Sequence, residues 1–239
     1  MTTFNKIFTL CALSLIIVAS GCKKNSELSG LPPDLIPADL DTIQAARLDT
    51  LLPRKNAMDL HPNLFTSTIQ KKVVLTKDAE IYVTFLRQSA AYRNSFGWYV
   101  RVNDEKPPLD TLKQHILFPN ITVPPLKNGD KIQVGKQKFK AGTVLEFFLI
   151  VRGWTGNGVN FDALSLYTDA SLNPNGYQQS ILFRDVRYGT ICLGFEDILQ
   201  DDVKNQYYDN DFNDALFAIS DNIDGHRTTA IDTVKMASM

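Results

Sequence analysis

The sequence predicts an all-β fold, a β-sandwich or jelly-roll-like domain, on three observations. Between residues 71 and 219, eight or more short stretches carry strand signals, the clearest at 80–86, where Ile81, Val83 and Phe85 alternate with Tyr82 and Thr84 as in a strand that buries one face. Proline and glycine punctuate the intervals, as at Pro107-Pro108, Pro124-Pro125 and Asn128-Gly129, where they end strands and break helices. One run, TVLEFFLIV at 143–151, is apolar on both parities except at Glu146, the pattern of a strand covered on both faces. Short, turn-rich strands with no convincing helix among them make a two-layer sheet domain.

The chain divides into four parts. Residues 1–21 read as a targeting segment: Lys6 and the free amine supply positive charge, and 7–19 form an apolar core too short for a comfortable membrane span. It closes on Val18-Ala19-Ser20-Gly21-Cys22, which resembles the lipobox of bacterial lipoproteins. That resemblance implies cleavage before Cys22, diacylation of Cys22, and a protein anchored at a bacterial outer membrane or cell surface through its lipid. Residues 22–64 are then a lipidated tether, polar and small to about residue 30 and stiffened by Pro32, Pro33 and Pro37. Within the tether, Asp39 or Asp41 opens a short helix that runs to about Leu52 and stops at Pro53. Packing on the domain is the default role for that helix, and binding a partner is the other.

Residues 65–221 form the sandwich. Strands are expected at 71–76, 80–86, 98–102, 131–134, 143–151, 163–168, 179–184, 190–195 and 214–219, with the strand at 131–134 ending in a turn at Gly135. The polar residues 222–239 read as a flexible tail that frays. With Cys11 lost to the signal and Cys22 carrying lipid, Cys192 stands alone, so no internal disulfide staples the fold. Its place in the apolar strand 191–195 suits a buried, inert thiol rather than a nucleophile. Net charge is −1 with scattered Lys and Arg, which gives no footprint for nucleic acid.

Chemistry concentrates in the stretch 194–217, GFEDILQDDVKNQYYDNDFNDALF. If the strands flanking this loop pair in antiparallel fashion, Glu196 and Asp197 leave the sheet beside the point where Asp209, Asp211, Asn213 and Asp214 re-enter it. Gathered carboxylates repel and raise one another's pKa unless a cation lies among them. Calcium suits such a loop, because it takes six to eight oxygens in a tolerant geometry. The spacing Asp209, Asp211, Asn213 lets alternate side chains converge on one ion, so Glu196, Asp197, Asp209, Asp211, Asn213 and Asp214 are the expected metal ligands. No EF-hand is present: Asp214 stands where its glycine belongs, Ser220 where its glutamate belongs, and strands flank the loop.

Three phrases resemble the family called domain of unknown function 4114. Tyr92, Asn94, Gly97, Trp98 and Tyr99 in YVTFLRQSAAYRNSFGWYV match one of its phrases, AGTVLEFFLIVRGW resembles its middle strand, and the order of Glu196, Asp197, Asp209, Asp211, Phe212, Asn213 and Asp214 resembles its closing signature. A similar acidic phrase occurs in the LruC-type domains of lipid-anchored proteins. The likeness spans about 73–220 and implies a β-rich extracellular module with acidic residues at its site. One departure is that the loop ILQDDVKNQYY lacks the glycines of many relatives and adds Asp201 and Asp202.

Three readings of the acids compete. In the first, calcium staples the loop beside a surface for adhesion, matrix, glycan or protein ligands. The second has Asp209, Asn210, Asp211 and Asn213 merely capping backbone amides in turns. In the third, Glu196 and an aspartate act as an acid and base pair of a hydrolase of cell-surface polymers. His61, His115 and His226 lack metal-ligand spacing and support no zinc chemistry. Trp154, in the Gly-rich phrase RGWTGNGVN, and Trp98 are candidate ligand contacts, with packing on the sheet as the competing role for Trp154.

Overall fold

A computed structural model describes residues 30–53, 57–102, 105–200, 209–225 and 228–239. Residues 1–21 expected as a signal segment, together with Cys22, Asp201, Asp202, Tyr207, Tyr208 and His226, lie outside the described residues. Among those described, no helix is long and apolar enough to cross a membrane.

Among the described residues eleven strands build two sheets. The strands are β1 Val73–Val74, β2 Ala79–Arg87, β3 Ser95–Val100, β4 Ile116–Phe118, β5 Lys131–Phe139, β6 Val144–Ile150, β7 Ser165–Tyr167, β8 Ser180–Asp185, β9 Thr190–Phe195, β10 Ala215–Ser220 and β11 Ala237–Ser238. One sheet has the order β11-β8-β9-β10-β2-β5, and the other has β1-β6-β3-β4 with β7 also paired to β6. Every pairing is antiparallel except β11 with β8. The fold is therefore the all-β sandwich that the strand patterns predict.

Side-chain alternation decides which residues meet between the layers. Ile81, Val83 and Phe85 of β2, Ile191, Leu193 and Phe195 of β9, and Phe217 and Ile219 of β10 face Phe96 and Trp98 of β3 and Leu145, Phe147 and Leu149 of β6. Phe96 stacks on Phe217 across the interlayer with ring centres 3.8 Å apart. The opposite parities are buried as well. Leu86, Ile181, Phe183, Cys192 and Leu216 lie with Leu48, Leu51, Leu52 and Leu64 in a second cluster. Here helix α1, Thr42–Leu51, packs on the outer face of the six-stranded sheet. Burying each such leucine contributes about 1.5–3 kcal/mol, and the helix ends one residue before Leu52 and two before Pro53. On the other sheet, Tyr99, Phe148, Ile150 and Tyr167 are covered by Leu112 of the short helix α3, Leu109–Gln114 (α2 being Ala57–Leu60).

This double covering explains the apolar run of β6, whose two faces enter different clusters. Glu146, the polar exception, is 2 % exposed and accepts hydrogen bonds from Tyr99 Oη at 2.5 Å and Arg101 Nη1 at 2.8 Å. Cys192 is buried and free, and desolvation raises its thiol.

Two expectations are corrected. The strand expected to stop before Gly135 continues to Phe139. Glu80 pairs with Lys138 and Tyr82 with Gln133, so the intervening residues bulge, with Gly135 and Lys136 in the left-handed region. The tail expected to fray is tied down: Leu75 bridges Ile231, Met236 is 5 % exposed, and β11 adds to the edge of β8. The helix expected within residues 22–64 takes its default role and packs on the domain, and Ile36 bridges Lys131.

Candidate functional site

The acidic corner is built by the β9–β10 pair. Ala215 opposes Phe195 and Leu216 opposes Gly194, so the chain leaves β9 at Glu196 and returns beside it at Asp214. Gly194 is required by close approach: a Cβ there would lie 2.3 Å from the Phe212 carbonyl oxygen. Asn210 and Phe212 occupy the left-handed region at φ 57° and 54°. The Phe212 ring is buried and lies 5.2 Å from the Phe65 ring, which anchors the returning loop in the cluster under α1.

The six expected ligands separate into two groups. Glu196, Asp209 and Asp211 each offer a carboxylate oxygen, all within 4.8 Å of one another. Two oxygens that share one calcium at about 2.4 Å each stand at most about 4.8 Å apart, so these three fit a single ion. Asn213 supports this group from outside it: its backbone N–H donates to Asp211 Oδ1 at 3.0 Å, and its side-chain amide donates to Asp211 Oδ2. Asp197 and Asp214 form the second group. The Asp197 N–H donates to Asp214 Oδ2 at 2.8 Å, and Asp197 Oδ2 accepts from Asn94 Nδ2 at 2.6 Å.

The division follows from extended backbone. Phe195 points into the interlayer core, so Glu196 points to the outer side and Asp197 toward the other sheet, where Asn94 waits. Asn94 is fully buried, and its Oδ1 accepts the Arg152 N–H at 2.9 Å, which ties the corner to the end of β6. Asn94 belongs to the first of the three resembling phrases, but nothing in its spacing gives it this role.

Glu196 is the least compensated acid of the corner. It is 1 % exposed, its Oε1 accepts the Phe212 N–H at 2.7 Å, and its Oε2 is buried with no hydrogen-bond partner. Burial, reinforced by Asp214, Asp211 and Asp209, pushes its carboxyl up to about 9. Burial and Asp197 push Asp214 up to about 7, and Asp197 is also raised by burial.

Beside the second group is an open hollow of about 400 Å³, lined in part by Tyr92, Arg152, Asn160, Leu164, Asp197 and Leu199. The Arg152 guanidinium lies 4.1 Å from the centre of the Tyr92 ring.

The two tryptophans are corrected as ligand contacts. Trp154 is 8 % exposed, packed over Gly30, and its backbone N–H donates to the Arg93 carbonyl at 2.9 Å. Trp98 is 3 % exposed in the interlayer core, against His115 at 4.2 Å. Neither presents a face for stacking. His61 Nε2 meets the Leu51 carbonyl at 2.8 Å, so neither described histidine joins the acids.

Fold and corner together define a β-sandwich whose closing hairpin carries a compact carboxylate group. Residues 139–222 match the family described as Domain of unknown function (DUF4114). The matched stretch runs from the end of β5 through β10 and contains the whole acidic corner, whereas the phrase around Asn94 lies before it. No curated protein and no solved structure matches the chain.

Proposed function

We propose that Glu196, Asp209 and Asp211 hold a calcium ion that staples the loop between β9 and β10. Asn213 fixes Asp211, and Asp197 with Asp214 completes the hydrogen-bonded surround. The observation that carries this reading is the buried, unpartnered Glu196 Oε2 beside two further carboxylates within 4.8 Å. A divalent ion relieves the mutual repulsion of these acids and supplies the partner that Oε2 lacks. Turn formation alone accounts for Asn213 and Asp211 but leaves Glu196 unexplained.

In this reading the protein is an extracytoplasmic lipoprotein, held to the membrane through Cys22, that uses its metal-braced sandwich for surface adhesion, matrix or glycan interaction. The targeting segment and its cysteine support the anchor. Catalysis by Glu196 is disfavoured by its burial, because a general acid has to reach the oxygen it protonates.

Thermal melts with calcium and with chelator test the metal. A ligand that binds only the folded state stabilises it by about 2.7 kcal/mol at one hundred times its Kd. Wild-type protein is expected to melt higher as calcium rises, and Asp211→Ala is expected to lose the shift. An unchanged melt in calcium would reject the site.

A further inference from the structure

We propose that the hollow beside the acidic corner is a carbohydrate site that takes one sugar unit of a glycan, and that the metal braces one of its walls. The inference rests on the calcium reading for the bracing, while the sugar site itself stands on the hollow's own geometry.

At about 400 Å³ the hollow falls within the range of small-ligand sites, about 300–1,000 Å³, near its lower end. A pyranose presents a rim of hydroxyl groups around a largely apolar ring face. The hollow offers the matching chemistry. Arg152 supplies an exposed guanidinium and Asn160 an exposed amide whose N–H groups can donate to hydroxyl oxygens, Asp197 adds the edge of a carboxylate held from behind by Asn94, and Leu164 and Leu199 supply apolar surface. Held over the Tyr92 ring, the Arg152 guanidinium keeps its in-plane donors for oxygen acceptors, which also admits a sugar carboxylate.

The walls come from different parts of the sandwich and are pinned together by one buried amide. Asn94 Nδ2 holds Asp197 at 2.6 Å, and Asn94 Oδ1 holds the Arg152 backbone at 2.9 Å. Asp197 also follows Glu196 directly and donates its N–H to Asp214 at 2.8 Å. Drawing Glu196 onto an ion therefore sets the peptide that carries Asp197, and with it the wall formed by Asp197 and Leu199. Preorganised walls raise affinity by reducing the ordering cost of binding.

The test uses the full chain loaded with calcium and a panel of glucose, galactose, N-acetylglucosamine, glucuronic acid and short oligomers of each, read by saturation-transfer NMR and titration calorimetry. At least one sugar is expected to bind. Arg152→Ala and Asn160→Ala, both at exposed side chains, are expected to weaken it tenfold or more while leaving the melting temperature and its calcium shift unchanged. Preference for glucuronic acid over glucose that disappears in Arg152→Ala would assign the guanidinium to a carboxylate. Binding by none of the panel, or binding that survives both substitutions, overturns the sugar site even if the calcium shift is present. Sugar binding that is equal in calcium and in chelator overturns the bracing alone and leaves the sugar site standing.

Discussion

Among the described residues two glutamates are buried, Glu146 in β6 and Glu196 just past the end of β9, and the two are treated differently. Glu146, at 2 % exposure, receives the Tyr99 hydroxyl and the Arg101 guanidinium, and Arg101 is shared with Asp169. Glu196, at 1 % exposure, receives one backbone N–H and is crowded by Asp214, Asp211 and Asp209. The protein supplies its own cation to the first. Among the described residues it supplies none to the second. A buried charge with a paired partner is a finished structural element, whereas a buried acid among acids calls for a proton or a metal. The same burial therefore marks Glu146 as architecture and Glu196 as a binding group.

Of the two glutamate substitutions, removing the architectural one should cost more. Glu146→Gln keeps an acceptor for Tyr99 but breaks the charged contact to Arg101, which still retains Asp169. A charge-assisted hydrogen bond of this kind contributes about 1.5–3 kcal/mol, so a loss of about 2 kcal/mol is expected in urea unfolding, equal with and without calcium. A cost that appears only in calcium would erase the distinction between the two glutamates.

The next effect is one of pH on metal-free protein. The folded carboxyl of Glu196 titrates at about 9 against an ordinary 4.5, so the folded state binds the extra proton. Its contribution to stability is complete below about pH 4.5 and is lost as pH climbs through about 9. Melting temperature in chelator is therefore expected to fall between pH 5 and 9 on account of this group, and less steeply in Glu196→Gln. Calcium has to displace that proton, so its affinity is expected to rise over the same range.

The smallest effect is expected for Glu196→Gln itself at about pH 6 in chelator. The amide resembles the protonated acid that burial already enforces, so stability should change by less than about 1 kcal/mol, against the larger loss at Glu146. Equal losses at the two positions would show that Glu196 is an ordinary structural acid.

The closing hairpin was legible because its signals are local. Period-2 patterns define β9 and β10, and their pairing necessarily returns Asp214 to the neighbourhood of Glu196. The order of the acids could suggest a shared ion, but not that alternating backbone directs Glu196 and Asp197 to opposite sides and splits the group. Asn94, about a hundred positions earlier, becomes a partner of Asp197 only through the packing of one sheet on the other. Trp154 looks exposed in a Gly-rich phrase, and its cover at Gly30 comes from the far end of the chain. The final strand was hidden because β11, Ala237–Ser238, is too short to show a period.

Calorimetric titration of calcium into metal-free protein at neutral pH, on wild type, Glu146→Gln and Glu196→Gln in parallel, tests the central claim most directly. The expected result is about one calcium per chain in wild type and in Glu146→Gln, and none in Glu196→Gln. Calcium binding that is intact in Glu196→Gln, or absent from wild type, would contradict it.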